Sequence, residues 1–263
     1  MSDQPILAEY MVAALAAGLH DGEWGACGAY SEIPMAAFML ARRQHAPNMW
    51  WMSGGGGAMN PRCTLVRSSS AYGTLQGAEA VFTIEDIVDW EFGGWRRMPM
   101  VGLFGGIQVD RRGNVNMVGI GSYDKLTLRG PGTVGLAFAA HFNRSMIYLH
   151  DHNARVLCEQ ADYVCAPGHT ETRKRYAREH SHGPELFDTP QAVFEFGDDG
   201  LARLRSITPG YSEADVRAHT GYEFESVLGL TETAPPTAED LAIIREEIDP
   251  HGLLAKVKLG TWS

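Results

Sequence analysis

The stretch "PMAAFMLARRQHAPNMWWMSGGGG", residues 34–57, decides the fold class. Its first half places Ala, Leu and Met at helical spacing and stops at Pro47, which cannot continue a helix. The short aromatic run at residues 48–52 predicts a strand, and the small residues at 23–30 predict another strand before the helix. A strand, helix, strand unit of this kind predicts a right-handed crossover within a parallel sheet.

The same alternation of patterns continues along the chain. It predicts helices at residues 6–19, 83–94 and 133–142, and strands at residues 100–105, 114–121, 145–150 and 161–166. We therefore expect an α/β fold with an open, mostly parallel sheet and flanking helices.

The last third of the chain changes character. The segment "GDDG" lies between two strand patterns, residues 192–196 and 201–207, and indicates a hairpin. Ser212 and Thr237 each precede an Asp by three residues, which is the pattern of a capped helix start. We therefore expect a C-terminal hairpin followed by helices.

Length and composition favour one globular domain. The chain has 263 residues with 44% apolar content, so we predict a single domain over 1–263, with a core at about 5–210 and a helical extension at about 211–263. A net charge of −10 argues against a nucleic-acid partner, because phosphate binding needs clustered Lys and Arg.

The sequence also bears on location and redox state. No run approaches the ~20 apolar residues that cross a bilayer, and the N-terminus lacks the basic region of a signal peptide, so we expect a cytoplasmic protein without membrane contact. Four cysteines without CxxC spacing favour reduced thiols and no metal site: Cys27, Cys63, Cys158 and Cys165.

Three glycine-rich segments follow predicted strands, at residues 53–57, 105–116 and 129–135. In an open α/β sheet, ligands bind outside the carboxyl ends of the strands, where glycine N–H groups can hold an anion or a developing oxyanion. Each segment is also compatible with a tight turn. Neither a P-loop nor a dinucleotide fingerprint is present, so the residues alone predict an α/β protein with a glycine-lined ligand site.

The segment "GGIQVDRRGNVN", residues 105–116, is more specific. It resembles the G-x-Q-V-D-x-x-G-N-x-N segment in the beta subunits of class I CoA-transferases, particularly the glutaconate CoA-transferase type. Further segments resemble the same family in the same order along most of the chain: the helix and strand of 34–52, "GPGTVG" (130–135), "ADYVCAPGH" (161–169) and "ITPGYSEADVRAHTGYEF" (207–224).

This resemblance implies a CoA-transferase/NagB-like fold and a heteromeric enzyme whose active site lies where this chain meets an alpha subunit, in a heterodimer or heterotetramer. The substrate is then a coenzyme A thioester, and no cofactor or metal is permanently bound. The resemblance also implies a set of residues that bind CoA or the oxyanion: Gly54, Gly55, Gly56, Gly105, Gly106, Gln108, Asn114, Gly130 and Gly132.

One departure from the family concerns the catalytic glutamate of its beta subunits. The matching position is Ser53 or Gly54, and Glu79 is the only acid between Pro47 and Thr83. The family's glutamyl-CoA intermediate therefore cannot form at its usual place. We see three explanations: membership of the steroid ring-cleaving CoA hydrolase branch, with acids drawn from the alpha subunit; a catalytic carboxylate relocated to Glu32; or Ser53 as the nucleophile.

We favour the first explanation, so that hydrolysis or ring opening of an acyl-CoA comes ahead of CoA transfer. A true CoA-transferase, or a silent partner that only completes the alpha-subunit site, stays an alternative. We interpret His150 and His152 as core or solvated residues rather than metal ligands. "VDRRGNV", residues 109–115, is open between a site role and a strand, turn and strand in which Asp and Asn satisfy the turn backbone.

Overall fold

The computed structural model describes residues 4–53, 55–93, 98–177 and 179–260. They divide into two compact units, unit 1 within Met1–Leu103 and Ala234–Leu259, and unit 2 within Phe104–Thr233 and Gly260–Ser263. The helices and strands are, in chain order, α1 (Leu7–Ala17), β1 (Trp24–Cys27), α2 (Glu32–Gln44), β2 (Trp50–Ser53), β3 (Ala58–Met59), β4 (Ala80–Val81), α3 (Ile84–Gly93), β5 (Met100–Phe104), β6 (Gln108–Asp110), β7 (Val115–Asn116), β8 (Gly119–Ser122), β9 (Lys125–Arg129), β10 (Arg144–Tyr148), β11 (Leu157–Cys158), α4 (Glu171–Tyr176), β12 (Pro184–Asp188), β13 (Ala192–Phe196), β14 (Ala202–Ile207), α5 (Glu213–His219), β15 (Glu225–Glu232) and α6 (Ala238–Ala242).

Unit 1 contains the strand, helix, strand unit that the sequence predicts. Strand β1 pairs in parallel with β2 on one side and with β5 on the other, and β3 and β4 extend this sheet in antiparallel order. Helix α2 covers it with buried side chains, and the Phe38 ring stacks on Trp51 at a centroid distance of 5.9 Å. A side chain at Gly25 of β1 would begin 2.4 Å from the Phe38 ring, so this strand needs glycine there for the helix to pack so closely.

Unit 2 has its own strand order, β10, β12, β13, β14, β15. Strands β10 and β12 are parallel, β12, β13 and β14 form an antiparallel meander, and β15 is parallel to β14. Phe187 and Phe194 on neighbouring strands stack at 4.5 Å and are fully buried. Strands β11, β6 and β7 form a separate small sheet, and β8 and β9 form a hairpin.

These elements confirm the predicted α/β class, with parallel strands flanked by helices. The hairpin around "GDDG" is β13 and β14, and both predicted helix caps are present: Ser212 with Asp215, and Thr237 with Asp240. The second capped helix begins as α6 and continues as a π-helix over Ile243–Ile248.

Other local predictions are wrong for identifiable reasons. Residues 161–166 are not a strand, because their backbone instead holds β7: the N–H groups of Cys165 and Ala166 both donate to the Val115 carbonyl. Residues 114–121 are not one strand, because the Asn116 side chain turns the chain by accepting the Val118 N–H.

Two further elements differ from expectation. The segment predicted as a helix at 133–142 is a 3-10 helix over Val134–Ala140. The C-terminal part predicted to be helical also contains the eight-residue strand β15. Among the residues described, no helix has the length and apolar character needed to cross a bilayer.

Candidate functional site

At the end of β2, the hydroxyl and the carbonyl of Ser53 are both used in hydrogen bonds within the chain. Ser53 is fully buried, and its hydroxyl donates a hydrogen bond to the Ser69 carbonyl. The N–H groups of Gly56 and Gly57 both donate to the Ser53 carbonyl, at 2.9 and 3.0 Å. Gly54, predicted as a site residue, lies outside the described residues. Of the described glycines here, Gly55 is the one whose N–H is not engaged in a hydrogen bond to the described chain.

The glycine loop also leaves no room for side chains. An added Cβ would begin 1.9 Å from the Ser70 hydroxyl at Gly55 and 2.3 Å from the Thr74 hydroxyl at Gly56. Close backbone contact with residues 69–74 therefore accounts for these two glycines, in addition to any role in binding. A longer acidic side chain at either position would force these segments apart.

The predicted carboxylate Glu32 lies in the same region of unit 1. It is the first residue of α2, directly after the loop that leaves β1. That loop is tied to the β2 end, because the Ser69 hydroxyl donates to the Gly28 carbonyl at 2.7 Å and the Tyr30 N–H donates to the Ser68 hydroxyl at 3.2 Å. Tyr30 has φ of 52°, a strained value for a residue with a side chain.

Burial raises the pKa of Glu32, and the nearby Arg67 only partly opposes this effect. The group is half-buried, so a ligand or partner can reach it. By contrast Glu79, the first acid in sequence after the β2 end, forms ion pairs with Arg42 at 3.3 Å and with Arg62 at 3.7 Å. Among these two acids, Glu32 is the one whose environment favours proton transfer.

In unit 2, the loop after β5 keeps unbonded amides. Gly105 and Gly106 are half-exposed, and their N–H groups make no hydrogen bond to the described chain. At Gly106 a Cβ would begin 2.6 Å from the Val115 side chain, so glycine is required there. Two adjacent free amides at a strand end are suited to stabilising an oxyanion.

The remaining predicted binding residues are occupied by contacts within unit 2. Asp110 accepts hydrogen bonds from the N–H groups of Arg112 and Asn114 and from the Asn114 side chain. Gln108 binds Asn116 and Asp162. The "VDRRGNV" segment thus has the strand, turn and strand structure, and its Val115 side chain lies against Gly106.

The third glycine segment is a turn. Gly130 donates its N–H to the Val118 carbonyl at 2.9 Å, and Gly132 donates to the Met117 carbonyl at 3.1 Å. A Cβ at Gly130 would begin 2.2 Å from the Met117 carbonyl oxygen, and Gly132 has φ of 95°. Like Gly56, these residues have no free N–H for an oxyanion.

The chain is similar to several known proteins. The beta subunit of glutaconate CoA-transferase from Acidaminococcus fermentans is 31% identical over 156 residues, which cover 57% of this chain and 58% of that protein. The chain therefore spans less than two thirds of that relative. The cholesterol ring-cleaving hydrolase IpdB subunit of Rhodococcus jostii is 25% identical over 222 residues, covering 84% of this chain and 83% of the other. No protein-family model matches the chain.

A solved structure covers nearly the whole length. The crystal structure of the decarboxylase AibA/AibB contains a chain that is 30% identical, with a TM-score of 0.83, covering 97% of this chain and 99% of that one. The present chain belongs to the family of CoA-transferase beta subunits of the glutaconate type. The resemblance based on "GGIQVDRRGNVN" is confirmed by these matches.

In this CoA-transferase beta-type chain, the histidines after β10 differ from each other. His152 is buried with one ring nitrogen 2.8 Å from the Thr189 hydroxyl and the other 3.1 Å from the Thr220 hydroxyl. Burial lowers the pKa of His152 to about 4, so the ring is neutral and structural. The described residues contain no group of His, Cys, Asp and Glu that would hold a metal ion.

Sequence reasoning missed Asp188, the last residue of β12. It is 2% exposed, its Oδ2 has no hydrogen-bond partner, and burial raises the pKa of its carboxyl well above the usual range. The signal was present, because an acid ends an otherwise apolar strand in "ELFDTP". It was not recognised because the strand itself was not predicted.

Proposed function

We propose that this chain is the beta subunit of a heteromeric enzyme that acts on an acyl-CoA thioester by hydrolysis or hydrolytic ring opening. The observation that carries the proposal is the end of β2. The family resemblance puts a catalytic glutamate at residue 53 or 54, and neither position is an acid. Ser53 is buried with its hydroxyl donated to the Ser69 carbonyl, and a Cβ at Gly55 or Gly56 would begin within 2.3 Å of a neighbouring hydroxyl. A covalent thioester with CoA on this loop is therefore disfavoured.

The proposed partner is an alpha subunit, in a heterodimer or heterotetramer. Three relatives support this: the beta subunit of glutaconate CoA-transferase, the IpdB subunit of the ring-cleaving hydrolase, and the decarboxylase AibA/AibB. In the AibA/AibB crystal structure, one chain matches the present chain over almost its whole length. The present chain corresponds to one of the two subunit types of such an enzyme. Its substrate would be a CoA thioester, with no permanently bound cofactor.

Two groups of residues have roles in this proposal. The amides of Gly105 and Gly106 in unit 2, which make no hydrogen bond to the described residues, are candidates for stabilising an oxyanion on the reacting carbonyl. Glu32 is the candidate acid of unit 1, because burial favours the protonated form of its carboxyl. Ser53 is the weaker catalytic candidate, since its hydroxyl is buried and already donated.

Decarboxylation is a second candidate, favoured by a different observation. The matching chain of the decarboxylase AibA/AibB is 30% identical to this chain and covers 97% of it, whereas the IpdB hydrolase subunit is 25% identical and covers 84% of it. Both reactions act without a nucleophilic glutamate on this loop. They differ in whether water enters the product or carbon dioxide leaves the substrate.

The test is made on the complex, purified by co-expression with its alpha chain. Glutaconyl-CoA and a cyclic β-keto acyl-CoA are incubated in ¹⁸O-labelled water, with and without acetate as CoA acceptor. We expect the product carboxyl to contain ¹⁸O, turnover to be independent of acetate, and no CoA thioester to be trapped on this chain. Acetate-dependent turnover with a trapped thioester would establish CoA transfer instead, and carbon dioxide release without ¹⁸O would establish decarboxylation.

The role of Glu32 is tested in the same assay with Glu32→Gln, which keeps the size of the side chain. We expect turnover to fall about 100-fold, as for loss of a general acid. Glu239→Gln is the matched control, because Glu239 is an exposed glutamate in the first turn of α6. Equal activities of the two variants would remove Glu32 from the mechanism.

A further inference from the structure

We propose that His150 is the general base of this enzyme, accepting a proton from water as the water attacks a carbonyl held by the N–H groups of Gly105 and Gly106. The inference rests on the proposed hydrolytic function and assigns one of its missing groups to this chain. It concerns unit 2 and the strand ends that border it, because β5 and β10 both end just before these residues.

The first argument is the accessibility of the imidazole. His150 follows β10 by two residues and is half-buried, with its ring centroid 5.7 Å from that of Tyr148. Its ring nitrogens make no hydrogen bond within the part of the chain that the structure describes. The ring is thus positioned by packing while its nitrogens stay available to water or substrate.

Three other histidines of unit 2 are used differently. His152 has a hydroxyl at each ring nitrogen, His169 lies 2.7 Å from the Pro184 carbonyl, and His219 lies 3.1 Å from the Gln191 side chain. Each of these rings is held by a polar partner and serves the fold. His150 has the arrangement expected of a reactive group.

The second argument is the position of His150 relative to the free amides. Tyr148, on which the His150 ring packs, also borders Gly105: a Cβ built on Gly105 would lie 3.5 Å from the Tyr148 hydroxyl. Tyr148 therefore bridges the imidazole and the Gly105–Gly106 loop. A carbonyl oxygen bound by those amides would have the histidine nearby on the same edge of unit 2.

The charged surroundings agree with this role. Burial lowers the pKa of His150, and the adjacent Asp151 only partly opposes it, so the imidazole is held in the neutral form that can accept a proton. Asp188 is the register partner of Tyr148 across β10 and β12, so its side chain leaves the same face of the sheet. Burial raises the pKa of that carboxyl, which favours its neutral form on this face of the sheet.

The proposed step balances in atoms and charge. An O–H bond of water breaks, its proton goes to a free nitrogen of His150, and the oxygen bonds to the carbonyl carbon to give an oxyanion held by the two amides. When the oxyanion collapses, the C–S bond breaks in thioester hydrolysis, or the C–C bond in ring opening. The imidazolium then returns its proton to the departing thiolate or carbanion, which restores neutral His150.

The experiment uses the complex with its alpha chain and the CoA probe that the wild-type complex hydrolyses. His150→Ala is expected to lower kcat at least 100-fold with KM changed less than 3-fold. Addition of 50 mM imidazole is expected to raise the kcat of this variant at least 10-fold. His150→Gln should lose activity equally without rescue, because glutamine fills the site that imidazole would enter. His251→Ala, at an exposed histidine, is the matched control and should keep wild-type activity.

Thermal unfolding and CoA binding of each complex are measured alongside, so that a folding defect is separated from a chemical one. If His150→Ala fails to assemble, His150→Gln in the assembled complex decides the matter by its kcat. A wild-type kcat in either variant would overturn the role of His150 while leaving the hydrolytic function intact. A wild-type complex that hydrolyses no probe would overturn both.

Discussion

Gly56 is a residue whose role is steric rather than chemical. A Cβ there would begin 2.3 Å from the Thr74 hydroxyl, 2.5 Å from the Ser53 hydroxyl and 2.7 Å from the Ser69 carbonyl oxygen. Because one of these atoms is backbone, it cannot move aside like the end of a flexible side chain. We predict that Gly56→Ala lowers the free energy of unfolding by about 1–3 kcal/mol, measured by urea denaturation.

Gly28→Ala is the matched control for this prediction. Gly28 also lies in a loop after a parallel strand of unit 1, but a Cβ there meets nothing within 4 Å and its φ is not positive. We expect its unfolding free energy to stay within about 0.5 kcal/mol of wild type. Equal losses in the two variants would show that glycine flexibility, and not the close contact with residues 69–74, explains the loop.

Among secondary-structure elements, the β6–β7 hairpin shows how a recognisable motif can be structural. Asp110 accepts bonds from the N–H groups of Arg112 and Asn114 and from the Asn114 side chain, and it is 4% exposed. Removing the carboxylate leaves several buried donors unsatisfied, at about 1–3 kcal/mol each. We predict that Asp110→Ala lowers the free energy of unfolding by about 3 kcal/mol, whereas Asp124→Ala on the exposed β8–β9 turn leaves it unchanged within error.

The same hairpin gives an activity readout. Since Val115 of this hairpin lies against Gly106, Asp110→Asn should fold but lower kcat more than it raises KM for the CoA probe. A variant that loses stability without any change in kcat would mean that the loop is positioned independently of the hairpin.

Elements with strong local signals could be predicted from the sequence. Helix α2 has helical spacing and a proline stop, and the caps at Ser212 and Thr237 are encoded within four residues. Strand β12 and the irregular segment at 161–166 could not, because their state depends on partners far along the chain, such as Val115 for Cys165.

The candidate site, too, could be predicted from the sequence only in part. Glycine-rich segments at strand ends were visible in the sequence, but which N–H groups stay free was not. The N–H groups of Gly105 and Gly106 make no hydrogen bond to any described residue, whereas Gly56, Gly130 and Gly132 donate theirs to carbonyls that only the folded chain brings close. The free nitrogens of His150 likewise depend on what surrounds the ring, which a sequence pattern does not report.

For the molecule as a whole, two buried titratable groups make stability depend on pH in opposite directions. The folded pKa of His152 is about 4, below its unfolded value of about 6.5, so the unfolded state binds more protons and stability is lost as pH falls through this range. Asp188 has the opposite sign. Its folded pKa is raised above the unfolded value, so the folded state holds the proton and stability is lost as pH rises from about 4 toward the folded pKa.

Asp188→Asn separates these two effects, because it keeps the shape of the side chain while removing its ionisation. Between the unfolded pKa of about 4 and the raised folded pKa, folding of the wild-type chain must take up a proton at Asp188, and the variant avoids that cost. We predict that the variant's free energy of unfolding, relative to wild type, increases from about pH 4.5 to about pH 8, measured by urea denaturation at intervals of half a pH unit. His152 is present in both proteins and cancels in the difference. A difference that stays constant across this range would mean that Asp188 has the same pKa folded and unfolded, and that its carboxylate is solvated or paired in the native protein.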